Sequence, residues 1–211
     1  MEDKILEKKE GWQMNVEIYE DYVIKYPKNK EQIIESILPY LKSIGKEEEL
    51  EERTIKMIDG TSKALQIIKK VNIPYKYLAG MIVLENGKIK QDKVLLLDDI
   101  FENLKDKQQI KKIIDDYINF VVLLWKYCIY ENTYNIHSNF GILNDKLVLI
   151  DPFEITNKKE KVLSQIERKK WAKHSKYGNN LSEDMKEYLI KKANETWTEK
   201  KLNKVWGVKL K

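Results

Sequence analysis

The chain reads as an α+β protein whose strands gather in its amino-terminal half and whose helices fill the remainder. Three observations carry that reading: period-two alternation at 14–26 and 73–97, a strongly apolar helical stretch at 109–130, and amphipathic helical patterning over 158–205. With 211 residues it can bury one sizeable core or form two lobes sharing a cleft, and two full domains would be cramped.

The elements follow in order. Val16 and Ile18, then Tyr22 and Ile24, alternate on either side of the polar pair Glu20-Asp21, which predicts a hairpin that Pro27 stops. Ile33, Ile34, Ile37, Leu38 and Leu41 recur at helical spacing and predict a helix over 30–43, closed by Gly45. A second helix is expected over 47–70 on Leu50, Thr54, Met57, Ile58, Leu65 and Ile68; its acidic start suits a helix amino terminus, and Asp59-Gly60 marks a bend. Strands return at 75–79, 81–84 and 93–97, with an Asn86-Gly87 turn between the last two. Asp98-Asp99 then ends the last strand. The stretch 109–130 is apolar on every face from Phe120 to Trp125 and belongs in the middle of a helical layer. Beyond 158 come two or three amphipathic helices, with Asn179-Asn180 as a connection and Ser182 as an N-cap ahead of Glu183 and Asp184.

Composition narrows the function classes. Hydrophobic content of 42% with 35% charged residues describes a folded, water-compatible chain. Cys128 is the single cysteine, so neither a disulfide framework nor a cysteine metal site can form, and a reducing compartment follows. The charged first residues lack a secretory apolar core and no run is long enough for a membrane span, which points to a cytoplasmic protein without a membrane partner. The net charge is +5, yet only Arg53 and Arg168 are arginines, so the lysine excess reads as a solvating surface before it reads as a nucleic-acid interface. Trp171, Trp197 and Trp206 lie among lysines, a pattern that serves helix packing or stacking on single strands. Only His137 and His174 are present, and they form no zinc motif.

The chemistry concentrates in residues 135–154, NIHSNFGILNDKLVLIDPFE: a polar loop, a tight hairpin turning at Asn144-Asp145, and an Asp at its exit. A hairpin of that shape brings Asn139 and Asp151 to its open end as hard oxygen ligands suited to Mg²⁺. Far upstream, Val23-Ile24-Lys25 puts a lysine in mid-strand, where lysine is depleted.

Together these segments resemble the protein-kinase-like superfamily. The resemblance implies a bilobal fold with a small β-rich N-terminal lobe (1–98) and a helical C-terminal lobe (99–211), with ATP and Mg²⁺ between them. It implies that Lys25 binds the phosphates, as in the Val-Ala-Ile-Lys pattern, with a helical carboxylate such as Glu51 holding it. It implies further that backbone near Asp99 and Phe101, in a hinge spanning 95–102, receives the adenine, and that Asn139 and Asp151 hold the metal.

The departures bear on turnover. Asn135 stands where the family has its proton-accepting Asp, and an amide has no basic form at neutral pH. His137 is the substitute base on offer. Asp151-Pro152-Phe153-Glu154 replaces Asp-Phe-Gly, and Gly11 is the only glycine ahead of the hairpin to cover phosphates. The expectation is therefore either an atypical kinase acting on a protein or small-molecule hydroxyl, or a pseudokinase that binds nucleotide and serves as an interaction module. A lysine-rich RNA-binding protein is the remaining alternative.

Overall fold

The computed structural model describes residues 4–173 and 180–208. An antiparallel sheet opens the chain: β1 (Glu7–Glu10), β2 (Met14–Ile18) and β3 (Tyr22–Pro27) run as a meander. Two helices follow, α1 (Lys30–Ser43) and α2 (Leu50–Val71), before β4 (Ile82–Val83) and β5 (Ile89–Asp92) return to the sheet beside β3. The order is β1-β2-β3-β5-β4, so the sheet is assembled from strands on either side of a helical insertion.

Asn29 caps α1 reciprocally with Gln32, a capping box that defines the helix start. The expected bend at Asp59-Gly60 does not form, and α2 runs straight through it. Gly60 faces the carbonyl of Phe153, which a Cβ there would meet at 3.7 Å, an ordinary van der Waals contact.

Next come β6 (Leu95–Leu96), α3 (Leu97–Asn103) and α4 (Lys107–Lys126), followed by β7 (Tyr130–Glu131) and the single-turn α5 (Ile136–Asn139). The hairpin β8 (Phe140–Leu143) and β9 (Lys146–Leu149) turns at Asn144 and Asp145, both with positive φ (49° and 60°), as a two-residue primed turn demands. β6 pairs with β8, while β10 (Ile155–Thr156) pairs with β7. Helices α6 (Lys159–Arg168), α7 (Lys170–Lys173), α8 (Glu183–Thr196) and α9 (Glu199–Val205) complete the described chain. Asn179 of the expected connection, and His174, lie outside the described residues.

Two strand expectations are corrected, and one strand is added. Residues 75–79 begin with a 3₁₀ turn, Tyr75–Tyr77, and the last strand of the sheet is β5, ahead of 93–97. β5 shows little alternation because Gln91 is buried in it, its amide donating to Leu78 O at 2.9 Å. β1, all exposed and charged, pairs with β2 on backbone hydrogen bonds without an apolar pattern to announce it.

One continuous core runs from Met14 and Ala64 through Leu97 to α4, the β8–β9 hairpin and the carboxy-terminal helices. Phe120, Val121, Val122, Leu124 and Trp125 are all buried, as an all-round apolar stretch requires. Trp171 and Trp197 meet edge to face at 5.1 Å inside this core. Ile33, Ile37 and Leu41 of α1 form a second, separate cluster with Leu50 and Met57 of α2. No described helix is long and apolar enough to cross a membrane.

Candidate functional site

The register Phe140↔Leu149 leaves Asn139 and Ile150 facing one another at the mouth of the hairpin. The backbone carbonyl of Asn139 accepts the N–H of Ile150 at 2.9 Å and that of Asp151 at 3.4 Å. Local hairpin geometry alone therefore makes Asn139 and Asp151 neighbours.

The third residue arrives from the sheet. Lys25 lies mid-strand opposite Val16 and Ile89 and is 7% exposed. Its Nζ donates to Ile150 O at 2.6 Å and stands 5.6 Å from the centre of the Phe153 ring. Burial pulls the Lys25 ammonium below the usual lysine range, with the Asp151 charge opposing. Burial likewise pushes the Asp151 carboxyl up, against the pull of Lys25 and a hydrogen bond from the Phe153 backbone. Desolvation thus exceeds mutual attraction on both sides. Asp151 Oδ1 is buried and finds no hydrogen-bond partner among the described residues.

The Asn139 side chain is tightly framed. Its Nδ2 donates to Glu131 Oε1 at 3.2 Å and to Thr133 Oγ1 at 2.9 Å, while among the described residues Oδ1 accepts only from Ser138 Oγ, at 3.4 Å. An orphaned carboxylate oxygen beside a nearly free amide oxygen is a donor set that fits a hard divalent cation, which commonly takes one or two protein side chains. No group of three or more His, Cys, Asp or Glu side chains converges among the described residues, so a cation here would complete its shell with phosphate or water.

Glu131, which sequence reasoning missed, is 6% exposed. The β7–β10 pairing sets it against Ile155, just past Asp151. It accepts from Thr133 N at 2.8 Å, Tyr134 N at 3.2 Å, Thr133 Oγ1 and the Asn139 amide. Burial nevertheless pushes its carboxyl up to about 7. Tyr134, held by this carboxylate, sits at φ 58°, a left-handed conformation costly for an aromatic residue. Glu154 is tied to Gln13 at 3.3 Å, and Gln13 in turn accepts from Thr61 of α2 at 2.9 Å. Although Glu154 reaches solvent, partial burial of its carboxyl and then the Asp151 charge push it up. The one local signal for Glu131 is a carboxylate directly after the most apolar helix and eight residues ahead of Asn139.

The other expected site residues lie elsewhere. Glu51 does not hold Lys25: it is exposed on α2 and pairs with Lys30 at 2.7 Å. The face of α2 that is buried carries Thr54, Ala64 and Ile68, with no carboxylate among them. Asp99 and Phe101 do not form an extended hinge, because the two aspartates stabilise a helix start and place both residues within α3. The Asp99 carbonyl accepts Asn103 Nδ2 at 2.7 Å, and Phe101 is 4% exposed. His137 packs edge to face on Phe101 at 5.9 Å. Its Nδ1 lies 3.9 Å from Asp98 Oδ1, neither ring nitrogen is hydrogen-bonded among the described residues, and burial lowers its basicity. Asn135 precedes α5, where its carbonyl accepts Asn139 N at 3.1 Å and its N–H donates to Thr133 Oγ1 at 3.1 Å. Lys25, Asn139 and Asp151 are therefore brought together, while Glu51, Asp99, Phe101 and His137 are not joined to them by any described contact.

No protein-family model and no curated protein matches the chain. Among solved structures it is similar to Rv3197 from Mycobacterium tuberculosis, in complex with erythromycin, with 13% identity and a TM-score of 0.45. The alignment covers 80% of this chain and 52% of the other, so the chain spans about half that neighbour's length.

Proposed function

We propose that the chain is an atypical kinase-like protein that binds ATP with Mg²⁺ beside Lys25 and the mouth of the β8–β9 hairpin, and transfers the γ-phosphoryl group to a protein or small-molecule hydroxyl. The observation that carries this reading is the buried Lys25 ammonium, seated on Ile150 O, with the following residue's carboxylate oxygen, Asp151 Oδ1, buried and without a hydrogen-bond partner among the described residues. Burying both charges without direct pairing is costly unless a ligand completes them. A phosphate with its cation brings both signs. A sheet interrupted by helices and then followed by a helix-rich region supports a bilobal layout of an N-lobe, 1–98, and a C-lobe, 99–211, although the boundary falls within α3 and the core is continuous across it.

In this reading Asn139 and Asp151 hold Mg²⁺, which when bound neutralises phosphate charge and orients the terminal group. Lys25 binds phosphate oxygens through its ammonium, fixed in position by strands on both sides. Phe153 shields that ammonium from water and so strengthens its field. Asn135 cannot take the acceptor proton, and the Glu131 carboxylate is already engaged by four donors. Transfer would rest on positioning and charge neutralisation, with the proton leaving to solvent.

A second reading is nucleotide binding without turnover, a pseudokinase acting as an interaction module. It is favoured by the amide at Asn135 and by the pairing of Glu51 with Lys30, which leaves Lys25 without a helical carboxylate. Of the three tryptophans that suggest RNA stacking, Trp171 and Trp197 are only 1% and 2% exposed and offer no stacking surface, while Trp206 is half-buried against the core.

Thermal-shift titration with ATP, with and without Mg²⁺, tests the site. The expected result is Mg²⁺-dependent stabilisation by mass action that Asp151→Ala removes. Phosphate release then separates the two readings, and absence of a shift in both conditions sinks them together.

A further inference from the structure

Resting on the cation role proposed for Asn139, we infer that Glu131 and Thr133 are positioning residues that fix the Asn139 amide with its oxygen presented to the metal. The argument is one of donor and acceptor polarity. Glu131 Oε1 already accepts the Thr133 N–H and Oε2 the Tyr134 N–H, so Oε1 presents lone pairs and must face the NH₂ end of Asn139. Thr133 has a single hydroxyl hydrogen and gives it to Glu131 Oε1; its lone pairs are left for Asn139 Nδ2 and Asn135 N. Both amide hydrogens of Asn139 are thereby consumed on the interior side. Turning the amide over would set its oxygen against a carboxylate and a hydroxyl lone pair at 3.2 and 2.9 Å. The amide oxygen is therefore the atom left for a ligand, and a free amide would have no such preference.

The same carboxylate accepts the N–H groups of Thr133 and Tyr134, so it also orders the loop in which Asn135 replaces the expected Asp. Saturated by these donors, Glu131 touches no reacting atom and acts only through Asn139. Groups of this kind orient metal ligands from behind, and losing one commonly weakens metal affinity 10- to 100-fold.

The test uses the full chain, with Mn²⁺ as the probe, free Mn²⁺ read by electron paramagnetic resonance in the presence of ATP, and metal-free ATP affinity measured alongside. Thr133→Val keeps the shape and removes the hydroxyl; it should weaken Mn²⁺ affinity about tenfold or more while metal-free ATP affinity stays unchanged. Thr133→Ser should restore it, a rescue that a purely structural role would not single out. Glu131→Gln should weaken Mn²⁺ binding likewise, and where it fails to fold the Thr133 pair decides. Wild-type Mn²⁺ affinity retained in folded Thr133→Val overturns this inference and leaves the site reading standing. No ATP-dependent Mn²⁺ binding by the wild-type chain overturns both.

Discussion

The Nζ of Lys25 lies 2.6 Å from the carbonyl oxygen of Ile150, a residue 125 positions further along the chain. That contact joins the amino-terminal sheet to the residue preceding Asp151. It is polar and partly buried, and no ion pair within 4.0 Å accompanies it among the described residues.

Replacing Lys25 with Met separates binding from stability. The Ile150 carbonyl loses its donor, which costs about 1–3 kcal/mol, and removal of a desolvated ammonium offsets part of this. Apo Lys25→Met should therefore melt within a few degrees of the parent while its stabilisation by ATP with Mg²⁺ disappears. Differential scanning fluorimetry reads both, and an undiminished nucleotide shift would remove Lys25 from the site.

Asp151→Asn should trade ligand binding for apo stability. Burial raises the Asp151 carboxyl from its ordinary 3.8, so the folded chain holds this proton more tightly than the unfolded one. Its contribution is fully present below the unfolded value and is lost as pH rises through the folded one. Urea melts without nucleotide should show Asp151→Asn gaining on the parent as pH climbs from about 4 towards neutrality. A gap that narrows over that range contradicts the burial of this carboxylate.

Asp184 has the opposite sign. A 2.7 Å hydrogen bond from Lys107, joined by Ser182, lowers its carboxyl to about 2. The pair links the start of α8 to the start of α4, and its contribution is present above the unfolded value and lost as pH falls through the folded one. Asp184→Asn should be less stable than the parent at neutral pH, with the difference shrinking as pH falls towards about 2 and vanishing only below it, and shrinking in salt because the pair is exposed. A difference independent of pH would assign the effect to something other than charge.

Gly141 sits in β8 opposite Leu96. A Cβ there would stand 2.9 Å from the Leu95 carbonyl and collide with the Val94 side chain. Gly141→Ala should cost about 1–3 kcal/mol through overpacking and should also weaken nucleotide stabilisation, because Asn139 immediately precedes β8. Chemical denaturation alongside the nucleotide titration checks both effects.

How much of this was legible in the sequence depended on whether the signal was local. The first hairpin, α1, α2 and α4 follow from apolar spacing, and Asn139 meets Asp151 because a hairpin brings its two ends together. Lys25 stood out as a lysine in mid-strand. Glu131 was hardly legible, because its hydrogen bond to Asn139 joins two short elements, and β7, which holds it against Ile155, is only two residues long, too short for any periodicity to announce. Helix α3 was not legible because Asp98-Asp99 ends a strand as readily as it begins a helix, and the helix buries Leu97 and Phe101. Glu51 was placed by the spacing of Leu50, Thr54 and Ile58, but of these only Thr54 is fully buried, Ile58 is 41% exposed, and Glu51 turns to solvent and Lys30.

The small cluster of Ile33, Ile37 and Leu41 with Leu50 and Met57 stands apart from the main core, whereas the later part of α2 belongs to that core through Ala64 and Ile68. Two halves of one helix thus answer to different cooperative units. Amide protons of α1 and the first turns of α2 should exchange through a partial opening that leaves Lys25, Asn139 and Asp151 assembled, while those around Ile68 exchange only when the whole chain unfolds. Peptide-resolved deuterium uptake would show a step in protection within α2, between Met57 and Ala64.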